Sequence, residues 1–386
     1  MSVYLDHAAS SPLRPEALDA LAAYAAAPYS GANPNSLHTP GREAALALES
    51  ARKDIARLLG PRVRPSEILF TSGGTESDNL ALFGLAEAVR ERDTRRKTVV
   101  VSAIEHEAVL ECAPELRHRG FDVRIVKPDR LGVIEPEALS DVLDGSCALV
   151  SVMTANNETG IVQPISKLAE AAHSVGALFH TDAVQAFVRV PVDAAAVDAM
   201  SITAHKVGGP VGIGALYLRT GVRLSPVAHG GGQERGLRPG TQNVSGALAF
   251  AAAAKACSHA HELHRDAIRA RSARLTEKLA ASGAGLYPTV DVPYGDGRLP
   301  GTVHVFARGI EAGSVLLKLD AEGYAISSGS ACAAASLDPS HVLSAMDLPR
   351  EDSLGALRIS FDERVTDDEL DAFAEALISC VSSLKR

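Results

Sequence analysis

Lys206 lies in a segment whose residue types suit covalent catalysis by a lysine. Residues 201–210 read SITAHKVGGP, with the hydroxyl of Thr203 and the imidazole of His205 before the lysine and a glycine-rich turn after it. A lysine that forms a Schiff base needs a fixed position, a lowered pKa and neighbouring groups that hold its carbonyl partner. Most lysines are instead solvated surface charges, so this segment alone does not separate the two interpretations.

The turn at residues 72–77, SGGTES, is suited to binding a phosphate. It joins an apolar segment of strand length to a segment with helical spacing. Glycines such as Gly74 allow backbone N–H groups to converge on an anion, the N-terminus of a helix favours negative charge, and the Thr75 hydroxyl adds a donor. The alternative is an ordinary strand-to-helix turn with a helix N-cap, which is the commoner role of so short a motif.

Asp182 ends the apolar run of residues 177–182, and Gln185 follows three positions later. An aspartate at the end of a buried strand is costly unless it is paired with a cation or well hydrogen-bonded. The protonated nitrogen of a pyridine ring is such a partner, and Gln185 is near enough in the chain to contact a phenolic oxygen on the same ring. The alternative for Asp182 is the N-cap of the next helix.

Two further polar residues follow predicted strands. His106, in IEHEA, comes after the strand at residues 98–102, and Asn157, in NNETG, comes after the strand at residues 148–153. Open α/β sheets bind their ligands at the carboxyl ends of their strands. There His106 can stack on a flat cofactor or transfer protons near neutral pH, and Asn157 can bind a carboxylate or a phenolate. The alternatives are a solvent-exposed loop histidine and an amide that caps a turn.

Two loops are rich in small or charged residues. Residues 229–243, HGGGQERGLRPGTQN, are dense in glycine and in anion-binding groups, which is typical of functional or disordered loops. Residues 326–336, ISSGSACAAAS, carry Cys332 without apolar periodicity, and this predicts a mobile loop with one thiol. The other cysteines fit buried structural positions better: Cys112, Cys147, Cys257 and Cys380.

The elements that must position these groups alternate along the chain. Apolar runs of strand length alternate with segments of helical periodicity, and this predicts an α/β fold with a mostly parallel sheet covered by helices on both faces. A helix predicted at residues 256–281 leaves that sheet for mixed short elements. We predict a large domain at residues 16–255 and a smaller α+β domain formed by residues 1–15 and 256–386. The smaller domain carries the mobile cysteine loop at about residues 327–340.

The composition limits the possible functions. The 386 residues are 46% hydrophobic and 22% charged, as in a soluble globular protein longer than one typical domain. A net charge of -9 argues against general affinity for nucleic acid. We find no signal peptide and no apolar run of membrane-spanning length. The five scattered cysteines contain no Cys-x-x-Cys pair, so we expect a cytoplasmic protein without a disulfide framework or a metal site.

Together these motifs resemble those of the NifS/IscS-type cysteine desulfurases, which are pyridoxal 5'-phosphate enzymes of the class V aminotransferase family. The resemblance runs nearly from end to end and is carried by YLDHAA at residues 4–9, FTSGGTESDN at 70–79, TDAVQ at 181–185, HK at 205–206, the loop at 230–243 and SSGSAC at 327–332. It implies the PLP-transferase fold of type I and a homodimer with shared active sites.

The resemblance also implies a role for each matching position. Lys206 corresponds to the lysine that forms a Schiff base with the cofactor, and Cys332 to the cysteine that forms the persulfide. Asp182 corresponds to the partner of the pyridinium nitrogen and Gln185 to the contact of the phenolic oxygen. His106 corresponds to the residue that stacks on the ring, and it is a candidate base for the thiol.

The remaining implied roles concern the phosphate and the substrate. The phosphate-binding positions of one subunit are matched by Gly74, Thr75, Thr203 and His205. Thr241 matches a phosphate contact that the family supplies from the other subunit. Asn157 and Arg358 match the positions that hold the α-carboxylate of the substrate, and Asn157 also counts among the cofactor-binding positions.

The implied reaction converts L-cysteine to L-alanine and passes the sulfur from Cys332 to an acceptor protein, for iron–sulfur cluster assembly or related thiolation. The identity of the acceptor stays open. The alternatives are a selenocysteine lyase or another class V enzyme, and a non-catalytic sulfur-relay subunit. The chain departs from the family pattern at Asn35 and Val211, and at Phe361 and Asp362, which follow Ser360 where glycine is usual and which bear on the geometry at the Arg358 motif.

Overall fold

The computed structural model describes residues 2–329 and 339–385. Its strands are β1 (Val3–Tyr4), β2 (Ile68–Thr71), β3 (Thr98–Ser102), β4 (Asp122–Val126), β5 (Cys147–Ser151), β6 (Leu178–Asp182), β7 (Ala199–Thr203), β8 (Gly214–Leu218), β9 (Leu286–Pro288), β10 (Thr302–Ala307), β11 (Tyr324–Ala325) and β12 (Ala356–Ser360). Its helices are α1 (Pro15–Ala26), α2 (Thr39–Leu59), α3 (Gly74–Arg90), α4 (Glu107–Leu110), α5 (Cys112–His118), α6 (Pro136–Ser140), α7 (Ile165–Ser174), α8 (Val244–Ala281), α9 (Ala312–Ala321), α10 (His341–Ala345), α11 (Arg350–Ser353) and α12 (Asp367–Leu384).

A seven-stranded sheet with the order β2-β8-β7-β6-β5-β3-β4 forms the centre of the fold. Strands β3 to β7 pair in parallel, and β8 runs antiparallel to both of its neighbours, β2 and β7. Parallel neighbours need long crossover connections, and helices supply them here. The predicted α/β fold with a mostly parallel sheet is therefore confirmed.

Helices cover both faces of this sheet because successive side chains of a strand point to opposite sides. In β3, Val100 packs into a core that includes residues of α2, α7 and α8. Val99 and Val101 pack into a second core, which includes residues of α3 and α5. Strands that are buried on both sides appear in a sequence as nearly continuous apolar runs, and this is why they could be predicted.

The long helix α8 begins at Val244, before the start predicted at residue 256, so that prediction was wrong. Asn243 caps the helix with its side-chain oxygen. Phe250 and Ala254 are buried, because the first half of the helix packs between α1, α2 and the sheet. An apolar helix without a polar face lacks the periodicity by which surface helices are recognised. The domain boundary predicted near residue 256 falls inside this helix.

A separate hydrophobic core surrounds the three-stranded antiparallel sheet β12-β10-β9. It joins this sheet to the C-terminal half of α8, to α9 and to α12, and it contains Leu275, Val305 and Phe373. Leu5 belongs to the same core, and β1 pairs in parallel with β11. The N-terminal segment is thus bound to the C-terminal part of the chain, while the division into two domains stays a prediction.

The carboxyl ends of the parallel strands meet at one edge of the large sheet, where the segments after β3, β5, β6 and β7 converge with the turn after β2. This edge is where open α/β sheets bind ligands. Within residues 2–329 and 339–385, no helix combines the length and the apolar character that crossing a membrane requires.

Candidate functional site

A cavity of about 260 Å³ lies at this edge of the sheet. It brings together ten residues that the sequence analysis selected: Gly74, Thr75, His106, Asn157, Asp182, Gln185, Thr203, His205, Lys206 and Arg358. Thr241 is not among the lining residues, and Cys332 lies outside the described residues. The selected motifs, which are up to 284 positions apart from Gly74 to Arg358, therefore surround one space.

Lys206 follows β7 and reaches the N-terminal segment of the chain. Its Nζ donates hydrogen bonds to the backbone oxygens of Ala8 at 2.6 Å and Ala9 at 2.8 Å. Burial, together with the positive charges of Arg358 and Arg189, lowers the pKa of the Lys206 ammonium to about 8. A lysine with such a pKa is partly a free amine near neutral pH, and the free amine is the form that attacks a carbonyl carbon.

Asp182 is the last residue of β6 and is only 6% exposed. Its Oδ1 accepts a hydrogen bond from the backbone N–H of Val184 at 2.8 Å. Burial raises the pKa of Asp182, although this hydrogen bond and the charges of His106 and Lys206 act in the opposite direction. Because ionising a buried carboxyl becomes easier beside a cation, this position favours a ligand with a positively charged group.

Two more carboxyl groups are buried near Asp182. Asp78, on α3, also lines the cavity. Its Oδ1 lies 3.7 Å from Nε2 of His180 and has no hydrogen-bond partner among the described residues. Glu105 is fully buried, and its Oε2 has no partner within the described part of the chain. Burial and the charge of Asp182 raise the pKa of Asp78 well above its usual value and that of Glu105 to about 8. Glu105 is therefore mainly neutral at pH 7, and burial beside Asp182 disfavours the ionised form of Asp78.

Helix α3 points its N-terminus at the cavity, with Gly73 as N-cap and Gly74 as the first helical residue. The N–H groups of a first helical turn have no partner inside the helix and favour an anion. A Cβ on Gly74 would lie 2.8 Å from Cγ2 of Val184, so a side chain at this position would push the helix away from the end of β6. Thr75, the next residue, lines the cavity.

Thr203 and His205 lie opposite this helix end. The Oγ1 of Thr203 and the Nδ1 of His205 are 3.2 Å apart, and Thr203 is fully buried. Burial, together with the charge of Lys206, lowers the pKa of His205 to about 4, so this imidazole is neutral at pH 7. This part of the cavity therefore offers hydrogen-bond donors to a phosphate rather than a second cation.

Arg358 lies on β12 and is 2% exposed. Its Nη1 donates to the backbone oxygen of Asn157 at 3.0 Å, and its Nη2 donates to Oδ1 of Asp6 at 2.7 Å. Its Nε has no hydrogen-bond partner within residues 2–329 and 339–385. A buried guanidinium that is fixed by two hydrogen bonds and lines a cavity is suited to binding a carboxylate. Asn157 supports this arrangement through its backbone rather than through the side-chain amide.

His106 and Gln185 are both fixed by local hydrogen bonds. His106 caps helix α4, and its Nδ1 accepts from the backbone N–H of Ala108 at 3.0 Å. When the ring is neutral, its proton must therefore be on Nε2. The Nε2 of Gln185 donates to the backbone oxygen of Ala8 at 2.9 Å. Both side chains line the cavity.

The loop at residues 229–243 is anchored to its own chain by Glu234. Both carboxylate oxygens of this buried residue bind the guanidinium of Arg52, at 2.7 and 2.8 Å. Glu234 and Arg235 adopt positive φ angles of 44° and 60°, which are uncommon for residues other than glycine. Thr241, further along this loop, is exposed and does not contact the cavity of its own chain.

The departure at Phe361 and Asp362 is accommodated next to the Arg358 strand. Phe361 is buried in the smaller core, and Asp362 accepts a hydrogen bond from Nε of Arg364 at 3.1 Å. Although burial raises the pKa of Asp362, hydrogen bonds from His7 and Arg364 hold it well below its usual range. The carboxylate is thus neutralised by its own neighbours, and Arg358 makes its ion pair with Asp6 instead.

The sequence analysis did not select several groups that shape the cavity. Asp78 lies three residues after Thr75, which is one helical turn, so its spacing could have identified it as a second acid on the same face. The backbone oxygens of Ala8 and Ala9, which accept from Lys206, could not be identified from the sequence, because no side-chain type marks them. Asp6 and Glu105 were inside quoted motifs, but only the folded chain shows that they meet Arg358 and Asp182.

The residues of the cavity fit pyridoxal 5'-phosphate, the cofactor that the resemblance implies. Asp182 offers a buried acid to the ring nitrogen, Lys206 an amine to the aldehyde, and the N-terminus of α3 a set of donors to the phosphate. The guanidinium of Arg358, which lines the same cavity, remains for a carboxylate of the substrate. Residues 2–329 and 339–385 contain no group of three or more side chains that could hold a metal ion.

Comparisons with known proteins agree with this description. The family model "Aminotransferase class-V" matches residues 3–373. The chain is 39% identical over 389 residues to "Cysteine desulfurase IscS" of Dictyoglomus turgidum, an alignment that covers 99% of this chain and 95% of the relative. It is 38% identical to "Cysteine desulfurase NifS" of Azotobacter vinelandii, with 99% and 93% covered. A solved structure of a NifS-like protein superposes with a TM-score of 0.90 at 35% identity, with 99% of this chain and 100% of that chain covered.

Proposed function

Because this chain belongs to the class V aminotransferase family, we propose that it is a cysteine desulfurase, which converts L-cysteine to L-alanine and takes up the sulfur as a persulfide on Cys332. Its cofactor is pyridoxal 5'-phosphate, which supplies, when bound, an electron sink for the negative charge that develops at Cα of the substrate. The observation that carries the proposal is the joint presence, in one cavity, of the Lys206 amine with its lowered pKa and of the buried Arg358 guanidinium.

Arg358 and Lys206 divide the handling of the substrate between them. The α-carboxylate of cysteine binds to the N–H groups of Arg358, whose position is fixed by Asp6 and by the backbone of Asn157. This places Cα of the substrate near Nζ of Lys206. The neutral amine takes the Cα proton as a general base, and a lysine pKa of about 8 suits that role near neutral pH.

Cys332 accepts the sulfur. Its thiolate attacks the substrate sulfur, an S–S bond forms, and the Cβ–S bond breaks. The electron pair of that bond stays with Cβ, which is protonated to become the methyl group of alanine. The attacking group must be the thiolate, and we propose His106 or the substrate's own groups as the base that forms it. The neutral ring of His106 already carries its proton on Nε2, so His106 takes up a further proton on Nδ1, and the hydrogen bond from the N–H of Ala108 has to give way.

We also propose that the protein is a homodimer whose subunits complete each other's active sites. Thr241 supports this proposal, because it is exposed and does not line the cavity of its own chain, whereas the resemblance assigns it to a phosphate. The partners are then L-cysteine, a second copy of the chain and an acceptor protein that removes the sulfur from Cys332. Free, unpaired Cys112, Cys147, Cys257 and Cys380 support a reducing location such as the cytoplasm.

The test is the substitution Cys332→Ala. We expect the visible absorption of the bound cofactor to be unchanged, and the release of sulfide from cysteine in the presence of a thiol reductant to fall by at least about 1,000-fold. The control is Cys380→Ala, because Cys380 is buried in the smaller core and should leave sulfide release within about twofold. Full turnover by the Cys332 variant would contradict the proposal, and would indicate an enzyme whose leaving group departs without a protein thiol.

A further inference from the structure

Arg14 holds the turn that follows Lys206. Its Nε donates to the backbone oxygen of Val207 at 3.2 Å, and its backbone N–H donates to that of Gly208 at 2.8 Å. Arg14 is only 5% exposed, so these bonds are shielded from competing water. The two carbonyl groups that come directly after the lysine residue are therefore fixed by one residue of the N-terminal segment.

The same segment receives the side chain of Lys206. The backbone oxygens of Ala8 and Ala9 both accept from its Nζ, at 2.6 and 2.8 Å. The segment is fixed here as well, because the backbone N–H of Ala8 donates to Oγ of Ser360 at 2.9 Å. Residues 8–14 thus contact Lys206 at the end of its side chain and also hold the backbone that follows it.

Two carboxylates pair with the guanidinium of Arg14. Its Nη1 lies 2.8 Å from Oε1 of Glu363, and its Nη2 lies 3.8 Å from Oδ2 of Asp362. The same Oδ2 lies 3.2 Å from Nδ1 of His7. Asp362 is one of the positions at which the chain departs from the family pattern, and both carboxylates come shortly after β12. The chain that follows β12 therefore fixes the N-terminal segment through largely buried ionic contacts.

The two backbone oxygens of residues 8–9 suit an ammonium group. A carbonyl oxygen only accepts hydrogen bonds, and an ammonium offers three N–H donors, of which two are used here. Lys206 becomes an ammonium when it takes the Cα proton of the substrate in the proposed reaction. Because Asp362 and Glu363 offset the charge of Arg14, this arginine fixes the turn without adding net positive charge beside the ammonium.

We propose that Arg14 is a positioning residue, which keeps the Lys206 amine at the backbone oxygens of residues 8–9 while the lysine carries the Cα proton of the substrate. Arg14 is not among the residues that line the cavity, so it acts through the backbone. The inference rests on the proposed function only in the proton transfer assigned to Lys206, and it does not depend on Cys332. Small displacements of a catalytic group are costly, because proton transfer requires a narrow range of distances.

The experiment follows proton transfer at Cα without sulfur chemistry. L-Alanine, the product of the proposed reaction, is added in deuterium oxide to protein loaded with cofactor. The Cα hydrogen passes to Lys206, whose ammonium exchanges with the solvent, and deuterium returns to Cα. Proton NMR measures the exchange rate, and the absorption of the cofactor at increasing alanine concentrations measures binding. A positioning role predicts slower exchange with unchanged binding.

We expect Arg14→Met to slow the exchange about 30-fold, with alanine binding within about threefold of the wild type. Arg14→Lys keeps a positive charge between the two carboxylates and should restore exchange to within about fivefold of the wild type. Glu363→Gln weakens the closest ion pair of Arg14 and should slow exchange about 3- to 10-fold. The double variant Arg14→Met/Glu363→Gln should be no slower than Arg14→Met, because the two side chains act through one contact.

A chemical readout that needs neither cofactor nor turnover complements the exchange rate. In the cofactor-free protein, the amine of Lys206 is labelled by reductive methylation with formaldehyde, and peptide mass spectrometry gives the rate. Arg14→Met should increase this rate about fivefold, because an amine that leaves the two carbonyl oxygens is more accessible to the reagent.

Arg219→Met is the matched control. Arg219 pairs with Asp198, which is fully buried and precedes β7, whereas Lys206 follows β7 at the other edge of the sheet. This variant therefore also loses an ion pair with a buried carboxylate, and its unfolding temperature should fall. Its exchange rate and its labelling of Lys206 should stay within about twofold of the wild type, since Arg219 is remote from this turn.

Exchange at the wild-type rate in Arg14→Met overturns the inference and leaves the proposed function intact. Equal losses in Arg14→Met and Arg219→Met also overturn it, since they indicate an effect of stability alone. If Arg14→Met does not fold, Glu363→Gln decides, and a wild-type exchange rate in that variant overturns the inference. If the wild type exchanges the Cα hydrogen of alanine but forms no persulfide on Cys332, the proposed function fails and the inference stands.

Discussion

The two ends of the cavity have opposite electrostatic character. At the end of β6, three carboxyl groups, Asp78, Glu105 and Asp182, are buried with more acid than the nearby side chains can neutralise, and burial raises the pKa of each. At β12, the guanidinium of Arg358 is nearly inaccessible to solvent and is bound by Asp6, and among the residues that the structure describes its Nε has no hydrogen-bond partner. One end therefore lacks a positive charge, and the other can accept one more negative charge.

This difference describes the ligand that the cavity is built for. A molecule with a protonated ring nitrogen at one end and a carboxylate at the other would satisfy both deficits at once, and the product of cofactor and amino acid has this pattern. Burial and the charge of Arg358 lower the pKa of Lys206, and the charge of Asp182 raises it. The basicity of the Lys206 amine therefore depends on both ends of the cavity. Removing the charged group at either end tests whether the two ends have these separate roles.

The largest effect is expected from Asp182→Asn. Removing one partner of a buried ion pair typically costs 3–5 kcal/mol, so the affinity for the cofactor should fall by at least about 100-fold. Asp78→Asn is the matched control, because burial and the charge of Asp182 already disfavour the ionised form of Asp78, and the cofactor affinity of this variant should stay within about threefold of the wild type. Cofactor affinity is measured by titrating the cofactor-free protein and following absorption. Equal losses in the two variants would show that the acids share the role.

At the opposite end, Arg358→Met should raise KM for cysteine about 100-fold, since truncating one member of a buried charge pair costs about 2–5 kcal/mol. Cofactor absorption should be retained, because Arg358 is not at the ring end of the cavity. The KM of Arg358→Lys should lie between that of the wild type and that of Arg358→Met, since lysine keeps the positive charge but lacks the paired N–H donors of the guanidinium. Steady-state kinetics and an absorption spectrum of each variant check this. If Arg358→Met weakened the binding of the cofactor rather than that of cysteine, the two ends of the cavity would not be independent.

A smaller effect is expected from Asp6→Asn. The variant keeps the shape of the side chain but removes the charge opposite Nη2 of Arg358, and KM for cysteine should rise about 3- to 10-fold. Asp6 also raises the pKa of Lys206, so the variant should lower that pKa further. Kinetics at several pH values measure both changes. An unchanged pH profile together with an unchanged KM would remove Asp6 from the site.

The smallest perturbation is a change of pH in the unmodified protein. The pKa of Lys206 is lowered from 10.5 to about 8, so its neutral amine should become the main form as the pH rises through 8 rather than through 10. The rate at which pyridoxal 5'-phosphate attaches to the cofactor-free protein should therefore rise with a midpoint near pH 8 and then level off. Stopped-flow absorption measures this rate. A midpoint near pH 10 would mean that Lys206 is solvated.

Much of this arrangement could be predicted from the sequence because the parallel strands are apolar runs and the polar motifs follow them directly. Asp182, Lys206 and His106 each come at or just after a strand end, so the topology alone brings them to one edge. The long helix α8 was predicted too short, because its alanine-rich first half is buried and lacks the periodicity of a surface helix.

What could not be predicted depends on contacts between distant parts of the chain. The backbone oxygens of Ala8 and Ala9 hold Lys206, and the backbone of Asn157 holds Arg358, yet no residue type signals either contact. Glu158 lies within a quoted motif, but its closeness to Ser340, 182 positions away, exists only in the folded protein. A pattern identifies which residues can react, whereas the fold determines which of them are held still.

The ion pair between Arg52 and Glu234 has a consequence for how two chains would associate. It fixes the loop at residues 229–243 from inside its own subunit, although Glu234 and Arg235 have unfavourable backbone angles. In the proposed dimer, the exposed Thr241 would therefore be presented on a surface that is already shaped before the second subunit arrives. Little ordering entropy would be lost when the subunits meet, and a free monomer would already resemble half of the assembled enzyme.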